Sequence, residues 1–190
     1  MTLLSKYFQG VFPLKPKVSN DERGSFSEHY VSKILEQKVG EKISFCQDNI
    51  THSKRGVLRG LHYQLPPHSQ SKLVSVIQGK VLVIVVDIRK GSPTFGMHIS
   101  KELSAENQLQ LFISRGFAHG FITLSEISIF HYKVDQYYYP KSEASISPND
   151  PDLGINWNIP ETEWIQSEKD KKYSTLSQAS VFDFKDDLYG

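Results

Sequence analysis

Cysteine is almost absent from this sequence of 190 residues, since Cys46 is the only one. A single cysteine excludes an intramolecular disulfide and a cysteine-based metal cluster. Long apolar runs are also missing, because the most apolar piece, residues 81–86, is far too short for a membrane span. The N-terminal stretch has no signal core, since Lys6 interrupts it and Gly10 follows. We therefore expect a cytoplasmic protein with no membrane partner.

A strong charge of one sign is lacking too. The 22 Lys and Arg residues nearly balance the 21 Asp and Glu residues, which leaves a formal net charge of +1. No strong field then attracts nucleic acid or an acidic membrane surface, so we expect no nucleic-acid partner. At this length the chain can bury most of its apolar surface without disulfides or metals, and we expect one domain over residues 1–190.

Histidines are present, but not at the spacing of common metal sites. None of the seven is part of a His-x-His or His-Glu-x-x-His sequence. Metal-binding jelly rolls usually offer two histidines one residue apart on a strand, whereas His62 is followed two residues on by Gln64. The sequence therefore predicts no metal site.

Short apolar or alternating runs recur along the chain, and turn-forming residues separate them. The runs are residues 43–47, 57–64, 72–77, 81–87, 97–103, 108–113, 119–124 and 127–134. Many short strands at this spacing predict an all-β antiparallel sandwich or barrel. Helical patterns cover only residues 30–39, which stop at Gly40, and residues 165–172, where we expect a single turn.

Two groups that are useful for chemistry lie close together within residues 56–64. Arg59 is permanently charged and His62 titrates near neutrality. They are three residues apart, so strict alternation along a strand places them on opposite faces of the sheet. Gly60 lies between them, and a bulge at this glycine would turn both side chains into one cavity. The simpler interpretation is a surface arginine and a core histidine, and these residues alone favour it.

The N-terminal part brings together an arginine, an aromatic ring and a carboxylate: Arg23, Phe26 and Glu28. Residues 21–24 predict a turn, and Phe26 and Glu28 share one face of the extended run that follows. One interpretation is a hairpin tip with a solvated charge cluster. The other is a site for a phosphate, a flat base and its N–H groups. The spacing alone leaves both open.

A series of longer motifs follows in order along the chain. They are Asp-x-Arg-Gly-x-Phe-x-Glu at 21–28, Gly-Val-Leu-Arg-Gly-Leu-His-Tyr-Gln at 56–64, Lys-Leu-Val at 72–74, Val-Asp-Ile-Arg at 86–89, Ser-Pro-Thr-Phe-Gly at 92–96, Gly-Phe-Ala-His-Gly-Phe at 116–121, Tyr-Lys at 132–133, Tyr-Tyr at 137–138 and Asn-Asp-Pro at 149–151. Through these motifs the chain resembles the dTDP-4-dehydrorhamnose 3,5-epimerase family, from about residue 12 to residue 170. The resemblance implies an all-β jelly-roll cupin, which is an antiparallel β-sandwich barrel with a few short helices. It also implies a homodimer, no metal or other cofactor, and a dTDP-linked keto sugar as substrate.

The reaction that the resemblance implies is inversion of C3 and C5 in a 4-keto-6-deoxy sugar nucleotide. The expected substrate is dTDP-4-dehydro-6-deoxy-D-glucose and the expected product is dTDP-4-dehydro-L-rhamnose. Both carbons flank the carbonyl, so an enolate can form if the site has a base, an acid across the ring and a donor for the oxyanion. By resemblance His62 is the base and Tyr132 the acid. Asp170 fixes the tautomer of His62, and Lys72 stabilises the oxyanion.

By the same resemblance, nine further residues bind the substrate: Arg23, Phe26, Glu28, Gln47, Asn49, Arg59, His119, Tyr138 and Lys169. The first three would reach the nucleotide bound in the partner subunit, because family members exchange N-terminal strands. Simpler structural alternatives remain for three of the catalytic residues. Asp170 could be a solvated charge, Tyr132 a sheet aromatic with a wet hydroxyl, and Lys72 a strand-edge lysine that discourages aggregation.

The sequence departs from the family pattern at three places. Val83 stands where many relatives carry an acidic residue, which removes a possible partner for Lys72 or His119. Residues 114–115 are Ser-Arg where relatives usually have a proline, and residues 147–148 are Ser-Pro where a tryptophan is common. These changes affect the expected substrate and the expectation of double epimerisation, but they spare the base and the acid.

Epimerisation at both carbons is therefore the expected function. Alternatives remain both within this enzyme class and from other classes. Within the class, the alternatives are a C3-only epimerase or one that takes a different sugar nucleotide. From other classes, they are a cupin that binds a sugar nucleotide without turnover and a metal-dependent cupin oxygenase. The presence of His62, Tyr132 and Lys72 argues against the binding module, and the missing His-x-His argues against the oxygenase.

Overall fold

The computed structural model describes residues 8–189, in which β-strands predominate. Helix α1 spans Ser32–Val39, and 3-10 helices span Glu161–Glu163 and Asp170–Lys172. The strands are β1 Val11–Leu14, β2 Val18–Asp21, β3 Gly24–Ser27, β4 Gln47–Lys54, β5 Leu58–Gln64, β6 Lys72–Gln78, β7 Lys80–Asp87, β8 Arg89–Lys90, β9 His98–Ser104, β10 Gln110–Ile113, β11 Phe117–Thr123, β12 Ile127–Val134, β13 Glu143–Ser145 and β14 Phe182–Asp183.

Two five-stranded antiparallel sheets pack face to face. The first sheet has the strand order β1-β10-β6-β12-β4, and the second has the order β13-β5-β11-β7-β9. Apolar side chains of both inner faces form the core between them; Phe121 of β11, for example, stacks on Phe130 of β12 with ring centroids 4.1 Å apart. This architecture confirms the predicted antiparallel β-sandwich of the jelly-roll type.

The outer face of each sheet is covered as well. Strand β7 points Val83 into the core between the sheets and Ile84 into a second core, which the C-terminal segment closes with Trp157. On the first sheet, α1 places Leu35 against Phe112. A strand that is buried on both faces is apolar at nearly every position, which explains the continuous run of β7. Within residues 8–189, no helix combines the length and the apolar character needed to cross a membrane.

Helix predictions differ from the structure mainly at their ends. The predicted helix at 30–39 is present as α1, which begins two residues later and ends at Gly40, whose φ of 87° closes the helix in the left-handed conformation. The single turn predicted within 165–172 is present as the 3-10 helix Asp170–Lys172 at the end of that range.

The predicted strand at 43–47 is wrong. Ile43 is an apolar anchor that packs beside Leu35, and the strand β4 begins only at Gln47. Its inward residues include Gln47 and Asn49, which are polar because this part of the inner face borders a polar cavity rather than the apolar core. An apolar alternation pattern therefore cannot detect β4.

A bulge is present at Gly60, although the residues alone favoured the interpretation without one. Along the pairing of β5 with β11, His62 lies opposite His119 and Arg59 lies opposite Phe121. Three steps along β5 thus match two steps along β11, so β5 carries one extra residue.

This extra residue changes which side chains of β5 share a face. Leu58, Leu61 and Tyr63 all enter the outer core, whereas strict alternation would separate Leu58 from the other two. Arg59 turns toward the first sheet, where its Nε donates to Ser53 Oγ of β4 at 3.3 Å. His62 lines the cavity between the sheets. The bulge therefore turns Arg59 and His62 to the same side.

We expect Gly60→Ala to lower the free energy of unfolding by about 2–4 kcal/mol, measured by urea denaturation. An added Cβ would lie 2.4 Å from Gly120 Cα, and Gly60 has a φ of 132°. The matched control is Gly24→Ala, where φ is 127° but nothing lies within 4 Å of the added Cβ. In the control the free energy of unfolding should fall only by the cost of the strained backbone angle, about 1–2 kcal/mol. Equal losses would show that the close approach to Gly120 contributes nothing.

Candidate active site

A cavity of about 250 Å³ opens between the two sheets, next to the bulge. Strands β4, β5, β6, β12 and β13 and the segment after β12 provide its walls. Six of the predicted site residues line it: Gln47, Asn49, His62, Lys72, Tyr132 and Tyr138. Four others contact this set or lie within its electrostatic range: Arg59, His119, Lys169 and Asp170.

On the wall formed by the second sheet, His62 is held from behind by Asp170. The Nε2 of His62 lies 2.8 Å from Asp170 Oδ1 and 3.2 Å from the hydroxyl of Tyr173. Burial alone would raise the pKa of Asp170, but hydrogen bonds from His62, Tyr173 and Ser167 hold it below its ordinary value. Asp170 is buried, so the solvated-charge alternative is wrong for it.

An ionised Asp170 only accepts hydrogen bonds, and this determines the tautomer of His62. The proton of the neutral imidazole lies on Nε2, from which it is donated to the carboxylate. Nδ1 then carries the lone pair and is the basic atom of the ring. A carboxylate behind an imidazole also stabilises the imidazolium that forms when the ring accepts a proton.

Lys72 and His119 form a second pair inside the sandwich. Lys72 begins β6, the middle strand of the first sheet, and its side chain is buried with Nζ 3.4 Å from His119 Nδ1. The strand-edge alternative for Lys72 is therefore wrong. Burial lowers the pKa of Lys72 to about 8, although the charge of Glu143 acts in the opposite direction. Burial, followed by the charges of Lys72 and His62, holds the pKa of His119 well below its ordinary value.

These two shifts assign the charges near neutral pH. Lys72 stays mostly protonated because its pKa lies above 7, whereas His119 is neutral. The Lys72 ammonium can donate to the Nδ1 lone pair of His119 and still has two N–H groups for a ligand. Val83 is fully buried in the apolar core between the sheets.

Tyr132 lies on β12 of the first sheet, across the cavity from His62. Burial raises the pKa of its hydroxyl, with an opposing effect from the charge of Arg59 and a further rise from Glu143. The phenol is therefore protonated at neutral pH and can donate a proton into the cavity. A titratable imidazole and a phenol thus face each other from opposite sheets.

Glu143 is a residue of this site that the sequence analysis missed. It lies on β13 opposite Gln64, accepts a hydrogen bond from the Tyr138 hydroxyl at 2.6 Å and forms an ion pair with Lys169. Burial would raise its pKa, but the hydrogen bonds from Lys169 and Tyr138 keep it below its ordinary value. In the sequence, Glu143 stands out only because it lies between two of the family motifs, Tyr-Tyr at 137–138 and Asn-Asp-Pro at 149–151.

Gln64 was also missed, and it positions the segment that carries Tyr138. Its buried side-chain amide donates to the backbone oxygens of His68 at 2.7 Å and Tyr137 at 3.2 Å. It also accepts from the backbone N–H of Tyr139 at 2.8 Å. The segment on both sides of Tyr138 is therefore attached to the strand that carries His62.

Three predicted site residues lie away from this cavity. Arg23 pairs with Asp21 at the tip of the β2–β3 hairpin, and Phe26 is 70% exposed on the same hairpin. Glu28 follows β3 and lines a separate surface groove. Among residues 8–189, no group of three or more histidine, cysteine, aspartate or glutamate side chains is arranged to hold a metal ion.

Comparisons with known proteins agree with this architecture. The family model of dTDP-4-dehydrorhamnose 3,5-epimerase matches residues 5–178. The dTDP-4-dehydrorhamnose 3,5-epimerase of Salmonella typhimurium is 47% identical over 179 residues, which are 94% of this chain and 97% of that protein.

Solved structures give the same result. A dTDP-6-deoxy-D-glucose-3,5-epimerase from Legionella pneumophila, in complex with dTDP-4-keto-L-rhamnose, superposes with a TM-score of 0.88 at 43% identity and covers 93% of this chain and 94% of its own. A dTDP-4-dehydrorhamnose 3,5-epimerase from Elizabethkingia anophelis superposes with a TM-score of 0.84 at 48% identity, covering 88% and 91%. The resemblance drawn from the motifs is thereby confirmed, and the chain belongs to the dTDP-4-dehydrorhamnose 3,5-epimerase family.

Proposed function

We propose that this protein inverts C3 and C5 of a dTDP-linked 4-keto-6-deoxy sugar, and that it converts dTDP-4-dehydro-6-deoxy-D-glucose to dTDP-4-dehydro-L-rhamnose. One observation carries the proposal. An imidazole backed by a carboxylate and a protonated phenol face each other across a cavity that also holds a buried lysine. The relative that was solved with dTDP-4-keto-L-rhamnose supports this substrate class.

Proton removal is the first step. The hydrogens on C3 and C5 are acidic because both carbons flank the C4 carbonyl, and His62 Nδ1 accepts one of them. The ionised Asp170 then faces an imidazolium, and its negative charge stabilises that state. The electron pair of the broken C–H bond moves toward the C4 oxygen, so an enolate forms.

The enolate oxygen needs a positive partner, and Lys72 provides it. The Lys72 ammonium is buried, so its attraction for a developing oxyanion is screened less than at the surface. His119 accepts a hydrogen bond from Lys72 Nζ and helps to position it. Because the imidazole of His119 is neutral, it brings no second positive charge next to the ammonium. Lys72 therefore stabilises the enolate more than the neutral ketone.

Inversion requires that the proton return to the opposite face of the sugar. Tyr132 projects from the other sheet, so its hydroxyl can donate to the carbon that His62 has deprotonated. The charge of Arg59 favours the tyrosinate that this leaves. A second round at the other carbon uses the same pair, after solvent takes the proton from the His62 imidazolium and returns one to the Tyr132 phenolate.

The nucleotide is bound at the outer part of the cavity. Gln47 and Asn49 project from β4 and hold each other through a 2.9 Å hydrogen bond. The ring of Tyr138 is 52% exposed at the rim, where it can stack on a base. Arg59 and Lys169 are the cationic groups for the diphosphate, and Glu143 holds Lys169 toward the cavity.

The three residues on or next to the β2–β3 hairpin complete the site of a partner subunit in this proposal. The hairpin forms its own two-stranded sheet and joins neither five-stranded sheet within the protomer. Phe26 is 70% exposed and lies between Arg23 and Glu28 in the sequence, so these three side chains suit a nucleotide bound in the site of the partner subunit. We therefore propose a homodimer with exchanged N-terminal strands.

Replacement of His62 by asparagine tests the proposed reaction. We expect His62→Asn to lower turnover on the order of a hundred- to ten-thousandfold, because one positioned base is lost while the side chain keeps a similar size. The measurement is deuterium incorporation at C3 and C5 of the dTDP-keto sugar in heavy water, read by NMR. His98→Asn, on β9, is the control and should exchange at the wild-type rate. A His62→Asn enzyme with normal exchange would rule out His62 as the base.

Mixing two defective variants tests the exchanged hairpin. His62→Asn abolishes its own site, whereas the double variant Arg23→Ala, Glu28→Ala damages the site of its partner. In a mixed dimer one site receives both defects and the other receives none, so an equimolar refolded mixture should recover about a quarter of wild-type activity. If the hairpin serves its own subunit, each site of the mixed dimer keeps one defect and mixing recovers nothing.

A further inference from the structure

Tyr173 contacts both members of the catalytic pair, His62 and Asp170. It directly follows the 3-10 helix that begins with Asp170, and its ring meets the His62 ring edge to face with centroids 5.7 Å apart. Its hydroxyl donates to Asp170 Oδ1 at 2.9 Å and lies 3.2 Å from His62 Nε2. The imidazole, the carboxylate and the phenol therefore form a closed triangle.

The protons of this triangle can be assigned. Asp170 is ionised and accepts both hydrogen bonds at the same oxygen, one from His62 Nε2–H and one from the Tyr173 hydroxyl. Burial raises the pKa of Tyr173, so its phenol keeps the proton that it donates.

We propose that Tyr173 is a positioning residue for the epimerisation, whose hydroxyl holds Asp170 in place and takes up part of its negative charge. This inference rests on the proposed function, because it concerns how strongly the base His62 retains its proton. A carboxylate that already accepts one hydrogen bond attracts an imidazolium less than a carboxylate with no other donor. Tyr173 therefore holds Asp170 in the position that orients the ring and weakens the attraction of the carboxylate for an imidazolium.

The other charged or titratable groups around His62 stay in place when only the Tyr173 hydroxyl is removed. His119 lies opposite His62 on the neighbouring strand β11, and Glu143 lies on β13. Lys72 and Tyr132 face His62 from the first sheet. A shift in the titration of His62 in such a variant therefore reports the hydrogen bond between Tyr173 and Asp170.

Tyr173→Phe tests the inference through the pH profile of kcat/KM for the dTDP-keto sugar. We expect the acidic limb to move to higher pH by about half to one unit, because the carboxylate with one donor fewer binds the imidazolium more strongly. Below that limb the rate should fall about three- to tenfold, and above it the rate should approach that of the wild type. The ¹⁵N resonances of the His62 imidazole, followed against pH without substrate, should show the same upward shift.

Tyr63→Phe is the matched control. Tyr63 neighbours His62 in sequence but faces the outer core, where its hydroxyl donates to the backbone oxygen of Ser180 at 2.6 Å. This variant also loses one hydroxyl that attaches the C-terminal segment, yet it leaves the catalytic pair untouched. Its stability should fall while its pH profile matches the wild type.

The remaining outcomes separate the two proposals. If Tyr173→Phe has the wild-type profile, or loses rate equally at every pH, Tyr173 has only a structural role and the inference is wrong. If the wild-type protein neither epimerises nor exchanges the keto sugar, the proposed function fails. The imidazole titration then still decides whether Tyr173 acts on His62 through Asp170.

Discussion

The one-residue bulge in β5 is the constraint on which the site depends. Without the extra residue, Arg59 and His62 would point to opposite faces of the sheet, and Leu61 would leave the outer core. The bulge can exist because Gly60 and Gly120 let the two backbones approach where a side chain could not fit. The same bulge therefore places the site residues and packs the outer core. A shift of β5 against β11 would disturb both.

The cavity is a polar gap in an otherwise apolar sandwich. Apolar side chains fill the remainder of the space between the sheets, so groups at the inner end of the gap lose much of their hydration. Lys72 shows the effect, because burial lowers its pKa to about 8 and yet leaves it mostly charged near neutral pH. A buried ammonium of this kind can stabilise an oxyanion directly, because little water has to reorganise when the negative charge forms.

The sequence predicts the strands that bury apolar faces, including β5, β6 and β12 around the cavity, and misses β4, whose inward side chains at the cavity are polar. Strand β7 is apolar throughout because cores lie on both of its sides, whereas β4 presents Gln47 and Asn49 inward and carries no such pattern. Long-range contacts are even less visible. Asp170 lies 108 residues from His62, so resemblance alone suggested their pairing, and no local pattern pointed to Tyr173. Local sequence patterns thus predict most of the strands, whereas the site depends on tertiary contacts that those patterns do not contain.

The separation of base and acid on opposite sheets is the central claim, and Tyr132→Phe tests it most directly. The variant removes one hydroxyl and keeps the ring in its packing against Phe130. Incubated with the dTDP-keto sugar in heavy water, it should take up deuterium at C3 or C5 while forming little inverted product. That result would show that His62 still forms the enolate and returns the proton to the same face. Inversion of both carbons at the wild-type rate would contradict the assignment of Tyr132 as the acid.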